Sequence, residues 1–142
     1  MIQTGLLSAE RPDKILPLGN GQMAVLYNYD IEEVQTVTNE SGSIEVVPGG
    51  SEGQETTTMY RYSCVRVEYP ITADNIFATL LSEKYPAKVE RKLANEYESA
   101  QLGILPVEHK KPYEDFLRDR VAIRAMVDAD CLECNIPIDR PV

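Results

Sequence analysis

Hydrophobic and polar positions follow one period before residue 71 and another after it. In the first part Met23, Val25, Tyr27, Tyr29 and Ile31 alternate with Ala24, Leu26, Asn28, Asp30 and Glu32. This is the period of two of a strand with one richer apolar face, which names the core side. At Glu32-Glu33 the phase slips, because Val34 continues the apolar series on the other parity, and a bulge is predicted there. A second strand runs from Thr58 to Tyr69, and its parity also switches, from Tyr60, Tyr62 and Cys64 to Val65, Val67 and Tyr69. Paired antiparallel, the two would bend at matching points in a long twisted ribbon. Ahead of the first strand, Gly19-Asn20-Gly21 follows Ile15-Leu16-Pro17-Leu18 and supplies the positive φ of a tight reversal, so a hairpin is predicted. Between the strands, Gly42, Pro48, Gly49, Gly50 and Gly53 surround one apolar cluster, Ile44, Val46 and Val47, and the pattern predicts a mobile loop over 38–57.

After Pro70 the period becomes helical. Thr72 is placed as an N-cap with Asp74 in the first turn, and Ile76, Phe77, Leu80, Leu81 and Tyr85 form a stripe that Pro86 ends. Pro86 opens a second helix with the stripe Val89, Leu93, Tyr97 and Ala100, and Gly103 stands at its left-handed end. A third helix starts near Pro112 and carries Tyr113, Phe116, Leu117, Ile123, Met126, Val127 and Cys131, with Glu114 and Arg118 as an i,i+4 pair. Ile136-Pro137 is its predicted stop. The fold class is therefore α+β: an N-terminal antiparallel ribbon or small sheet packed on three C-terminal helices, the last two a helical hairpin.

With 142 residues, 43% of them hydrophobic, the chain is long enough for one cored domain, 1–142, with a β part to 71 and a helical part from 72. Its net charge of -9 argues against a nucleic-acid partner, because counterion release needs clustered cations. No run reaches the roughly 18 apolar residues of a membrane span, and the first twenty residues lack the pattern of a signal peptide. A soluble chain in a reducing compartment is expected. The three cysteines, Cys64, Cys131 and Cys134, are expected as free thiols.

Chemistry-bearing residues are sparse. Cys131 and Cys134 stand three apart, a spacing open to a chelate or a redox pair, but a tetrahedral zinc needs two further ligands and the one histidine is His109. At the C-terminal end of a helix the dipole also raises a thiol pKa, the wrong direction for redox catalysis. Core packing for Cys131 and an incidental Cys134 is the favoured reading. His109, in Glu108-His109-Lys110-Lys111, reads as a solvated linker residue. Asp128, Asp130 and Glu133, with Glu32-Glu33, are the best carboxylates for a hard cation, although in an acidic chain such clusters are usually solvated faces. No catalytic residue, cofactor or metal site is assigned. Eight tyrosines accompany two phenylalanines and no tryptophan. Tyr27, Tyr29, Tyr60, Tyr62 and Tyr69 fall on the two strands, where they form either a core ladder, the preferred reading, or a protein-interaction face.

The order of these blocks resembles small proteins encoded among the structural genes of prophages and tailed phages in gut anaerobes. The matching text is Leu16-Pro17-Leu18-Gly19-Asn20-Gly21, Lys84-Tyr85-Pro86-Ala87-Lys88-Val89-Glu90, Leu93-Ala94-Asn95-Glu96-Tyr97, Tyr113-Glu114-Asp115-Phe116-Leu117 and Val127-Asp128-Ala129-Asp130-Cys131. The resemblance carries over no catalytic residue and implies a role in a virion or its assembly. The expected function is a non-enzymatic structural or protein-binding module with a protein partner, self-association, or both. A homo-oligomer fits that expectation. The alternatives are a tail-assembly chaperone or regulator, and a thiol- or metal-dependent enzyme centred on Cys131 and Cys134.

Overall fold

The Gly19–Gly21 reversal organises the start of the sheet. In the computed structural model, which describes residues 1–48 and 55–138, Asn20 and Gly21 have φ of 61° and 78°. They join β2 (Ile15–Pro17) to β3 (Ala24–Thr38) in the antiparallel register Ile15 to Tyr27 and Pro17 to Val25. Asn28, buried in β3, extends this pairing past the strand end: its Nδ2 donates to the Asp13 carbonyl at 2.7 Å and its backbone N–H to the Lys14 carbonyl at 2.8 Å. A buried amide is thereby satisfied.

The expected small antiparallel sheet is present and, among the described residues, has five strands. With β1 (Gln3–Ser8), β4 (Ile44–Val47) and β5 (Thr57–Glu68), the order is β1-β5-β3-β2, and β4 pairs the far end of β3. Part of the segment expected to be a mobile loop is therefore a hairpin. Its turn is built on Asn39, whose Oδ1 accepts from Ser41 N–H, Ser43 N–H and Ser41 Oγ, while Gly42 supplies φ of 85°. The rest of that segment, 49–54, lies outside the described residues.

Both long strands change face, as their parity required, but the break in β3 is at Asp30, two residues before Glu32-Glu33. Val25, Tyr27 and Tyr29 are buried before it and Val34 and Thr36 after it, and Asp30 itself has φ of 52°. Met23, placed on the core side by alternation, precedes the strand and is exposed. Pairing of β3 with β5 is marked by Glu32 with Arg61, Gln35 with Thr58 and Thr36 with Thr57, each step forward on one strand matching a step back on the other. Continuing that register brings Asp30 level with Ser63. On the other side of β5, three steps of β1 (Gln3 to Leu6) match two (Cys64 to Tyr62), and Gly5 at φ of 68° takes up the extra residue. The irregularities of β3 and β1 fall at one level of β5, where its burial passes from Cys64 to Val65.

Two compact units divide the chain at Arg66 and Val67. The second holds α1 (Ala73–Lys84), α2 (Ala87–Gln101), a 3-10 turn (Val107–Lys110) and α3 (Lys111–Glu133). Thr72 caps α1, its Oγ1 accepting from Asn75 N–H at 3.2 Å. Gly103 follows α2 at φ of 76°. The stop of α3 comes before the expected Ile136-Pro137: Asn135 turns left-handed at φ of 58° and Ile136 N–H closes on the Cys131 carbonyl at 2.8 Å.

An aromatic chain ties the three helices. Phe116, buried on α3, meets Tyr85 edge-on at 4.8 Å and Tyr113 at 5.8 Å, and Tyr113 meets Tyr97 of α2 at 5.4 Å. Ile76, Phe77 and Leu80 of α1 and Ile123, Val127 and Cys131 of α3 are also buried. The α2 stripe is covered less than its spacing implied: only Ala100 is buried, and Val89 is exposed. Asp119 accepts from Tyr85 Oη at 2.6 Å and pairs with Lys84 Nζ at 2.7 Å, fastening the end of α1 to α3.

Phe116→Ala should cost about 3–5 kcal/mol, because it opens a cavity where two aromatic contacts meet, and urea denaturation checks this. A second prediction concerns acid. Burial alone would favour the neutral Asp119 carboxyl, but the hydrogen bonds from Lys84 and Tyr85 and the Lys84 charge outweigh it and hold its pKa below the ordinary value. The unfolded chain then takes up this proton at higher pH than the folded one. The stabilisation is complete above the ordinary carboxyl pKa and is lost as pH falls through the lowered one. Asp119→Asn should be less stable than the parent at pH 7, with the gap closing on acidification below about pH 4. Urea midpoints across that range test it, and a constant gap would contradict it.

Candidate functional site

α3 exposes the wrong residues for an ordinary surface helix. Between Val121 and Leu132 its exposed positions are Val121, Ala122, Ala125, Ala129 and Leu132, and every one is apolar. Val121 is 68% exposed and Leu132 69%, and Leu117 continues the row towards the N-terminus. The charges of the same segment are turned inward: Asp128 and Asp130 are buried and Arg124 is half-buried. Arg124 pairs with Asp74 of α1 at 2.6 Å and with Asp128 at 3.1 Å, and its guanidinium lies 5.2 Å from the centre of the Phe77 ring. The hydrogen bond to Asp74, more than any other influence, raises its pKa above the usual arginine value.

The opposite side of α3, with Phe116, Ile123, Val127 and Cys131, is the buried one. Leu117, assigned with these by spacing, belongs to the outer row. The sequence did contain a signal for this: Arg124 and Asp128 are four apart, a spacing at which opposite charges satisfy each other, so the polar residues of the segment did not have to mark its wet side. More exposed apolar side chains gather at the hairpin tip, where Leu102, Ile104 and Val107 are each about two-thirds exposed or more. A shallow groove of about 310 Å³ lies along α2, lined by Lys88, Arg91, Lys92, Asn95, Glu96 and Ser99. It is a charged strip along one helix, with no converging set of acid and base.

The other candidate residues are placed as follows. Cys131 is buried and its thiol is pushed up to about 11, by burial first and then by Asp128 and Asp130. Cys134 is half-buried, and none of the three cysteines is in a disulfide. A thiol held protonated is a poor nucleophile and a poor metal ligand. His109 lies half-buried in the 3-10 turn. Glu32 pairs with Arg61 at 2.6 Å, and it belongs with Glu33 to a different unit from Asp128, Asp130 and Glu133. Among the described residues no group of three or more His, Cys, Asp or Glu side chains is arranged to hold a metal ion.

The strand tyrosines do not share one open face. Tyr27 and Tyr29 are buried and stacked at 5.3 Å, and burial pushes the Tyr29 hydroxyl up to about 12. Tyr60 and Tyr62 are half-buried, the first with Arg11 over its ring at 5.9 Å, and only Tyr69 is exposed. No helix among the described residues is long and apolar enough to cross a membrane. No protein-family model, curated protein or solved structure matches the chain.

The thiols give a direct check of this placement. At pH 8 the Cys131 thiolate should be about one part in a thousand, and Cys64 is likewise buried and raised. Iodoacetamide on the folded protein should add one label, at Cys134, and on the denatured protein three, counted by mass spectrometry. Rapid labelling of Cys131 in the native state would contradict the packing.

Proposed function

We propose that this chain is a non-enzymatic structural or protein-binding module and that the outer face of α3 is its binding surface. One observation carries the reading: over the twelve residues Val121–Leu132 the exposed side chains are all apolar, while the charges are turned inside on Arg124, Asp74 and Asp128. A helix that is apolar on both sides keeps one side in water at a cost, and such patches are characteristic of surfaces that another protein covers. The residues considered for chemistry support it too, since Cys131 is packed away and the α2 strip brings no acid and base together. The resemblance of the sequence blocks to phage structural-region proteins supports a virion or tail component, or a factor in tail assembly, as the setting.

A photo-crosslinking amino acid at Ala125, in cells expressing the chain from its own locus, should give a discrete protein adduct. The same probe at Lys92, on the exposed side of α2, should give little. Equal yields at the two positions would overturn the assignment of the face. Adducts to several unrelated proteins without a dominant band would count against it equally.

A further inference from the structure

The outer face of α3 has a pattern that bears on what covers it. Its side chains are large at both ends, Val121 and Leu132, and small between, Ala122, Ala125 and Ala129. Read backwards, the order of sizes is unchanged. A second α3 laid antiparallel sets Val121 against Leu132 of the second copy and Ala125 against Ala129 of the second copy, so the small residues meet in the middle and let the helices approach closely.

The charges at the two ends favour the same direction. The last turn of α3 contains no basic residue, although the exposed Glu133 lies at this negative end of the helix dipole. At the other end of the face stands Arg118, an exposed side chain that pairs on its own helix with Asp115 at 3.4 Å and Glu114 at 4.0 Å, both contacts open to solvent. Antiparallel packing brings each Arg118 towards the acidic end of the other helix, whereas parallel packing would set the two acidic ends side by side. A self-complementary patch of this kind is what a two-fold interface requires.

We propose that the face closes on a second copy of this chain, as an antiparallel α3 pair about a two-fold axis level with Val127. The proposal rests on the reading of this face as a binding surface. One helix face is smaller than the about 800 Å² per partner of a standard interface, so the dimer is weak and depends on concentration.

Sedimentation equilibrium of the full chain should show masses rising from one chain towards two, and Ala125→Arg should remain monomeric. That position is exposed and arginine is a good helix former, so an unchanged circular dichroism spectrum is expected alongside. Direction is read from cysteines in a Cys134→Ser background. Residues 121 and 132 are about 17 Å apart along one helix, beyond the roughly 7 Å Cα separation that a disulfide spans. Mild oxidation of Val121→Cys mixed with Leu132→Cys should therefore give the mixed bridge and neither self-bridge. Self-bridged products, a dimer indifferent to Ala125→Arg, or a monomer at all concentrations up to about 1 mM would each overturn the pairing. A monomer that still crosslinks from Ala125 to a different protein would sink the self-pairing alone, whereas loss of both signals would sink the binding reading as well.

Discussion

Arg124 decides how α3 divides its surface. Its guanidinium reaches Asp74 in the first turn of α1 and Asp128 one turn along α3, and lies against Phe77, so one cation holds two helices and draws a buried carboxylate into their seam. A partly desolvated cation between two carboxylates offsets its own loss of hydration only because hydrogen bonds accompany the charge. Once Arg124 and Asp128 are committed to each other, the middle of α3 has no charge left to mark its outer side. The core-facing row and the outer row are both apolar, and a polar seam runs along the junction with α1.

The same economy of polar groups explains the excess of tyrosine over phenylalanine. Tyr85 places its ring against Phe116 and its hydroxyl on Asp119, which pushes its own pKa up to about 12, by burial first and then by that carboxylate. A phenylalanine there would keep the ring contact and lose the tie to α3. Tyr97 and Tyr113 continue the chain of rings to α2, where the aliphatic stripe is only half covered. In the sheet, the stacked Tyr27 and Tyr29 serve the core side of β3 as far as Asp30, after which Val34 and Thr36 take over.

What was legible in the sequence follows from how local each signal is. The Thr72 cap, the Pro86 corner, Gly103 and the Gly19–Gly21 turn act within a few residues, and each marks the boundary it was assigned. The α+β order was legible for the same reason, as a change of period at one place. β1 and β4 were not, because each is short and gains its standing from pairing with a long strand, a contact far away in sequence that composition does not show. The bulge was displaced by two residues because parity reports a slip only where the next apolar residue falls, whereas the backbone turns at Asp30. The outer face of α3 escaped because periodicity assigns every apolar residue to a core and charge to water. Here Arg124 and Asp128 reverse that rule, and their i,i+4 spacing was its only trace.

The inward direction of those charges also bears on how an acidic chain meets a protein. Two bodies of net charge -9 repel at any distance shorter than the screening length, so a contact between them has to come from short-range apolar burial with the carboxylates held off the seam. An outer face carrying Asp128 would meet a like copy with a desolvated pair of acids, which costs several kcal/mol whether or not the surrounding shapes match. With that carboxylate bound to Arg124, the exposed positions between 121 and 132 are only Val, Ala and Leu, and the exposed charges nearest to them are Arg120 and Glu133 at either end. The ion pair that fastens α1 to α3 thus also leaves the far side of α3 apolar.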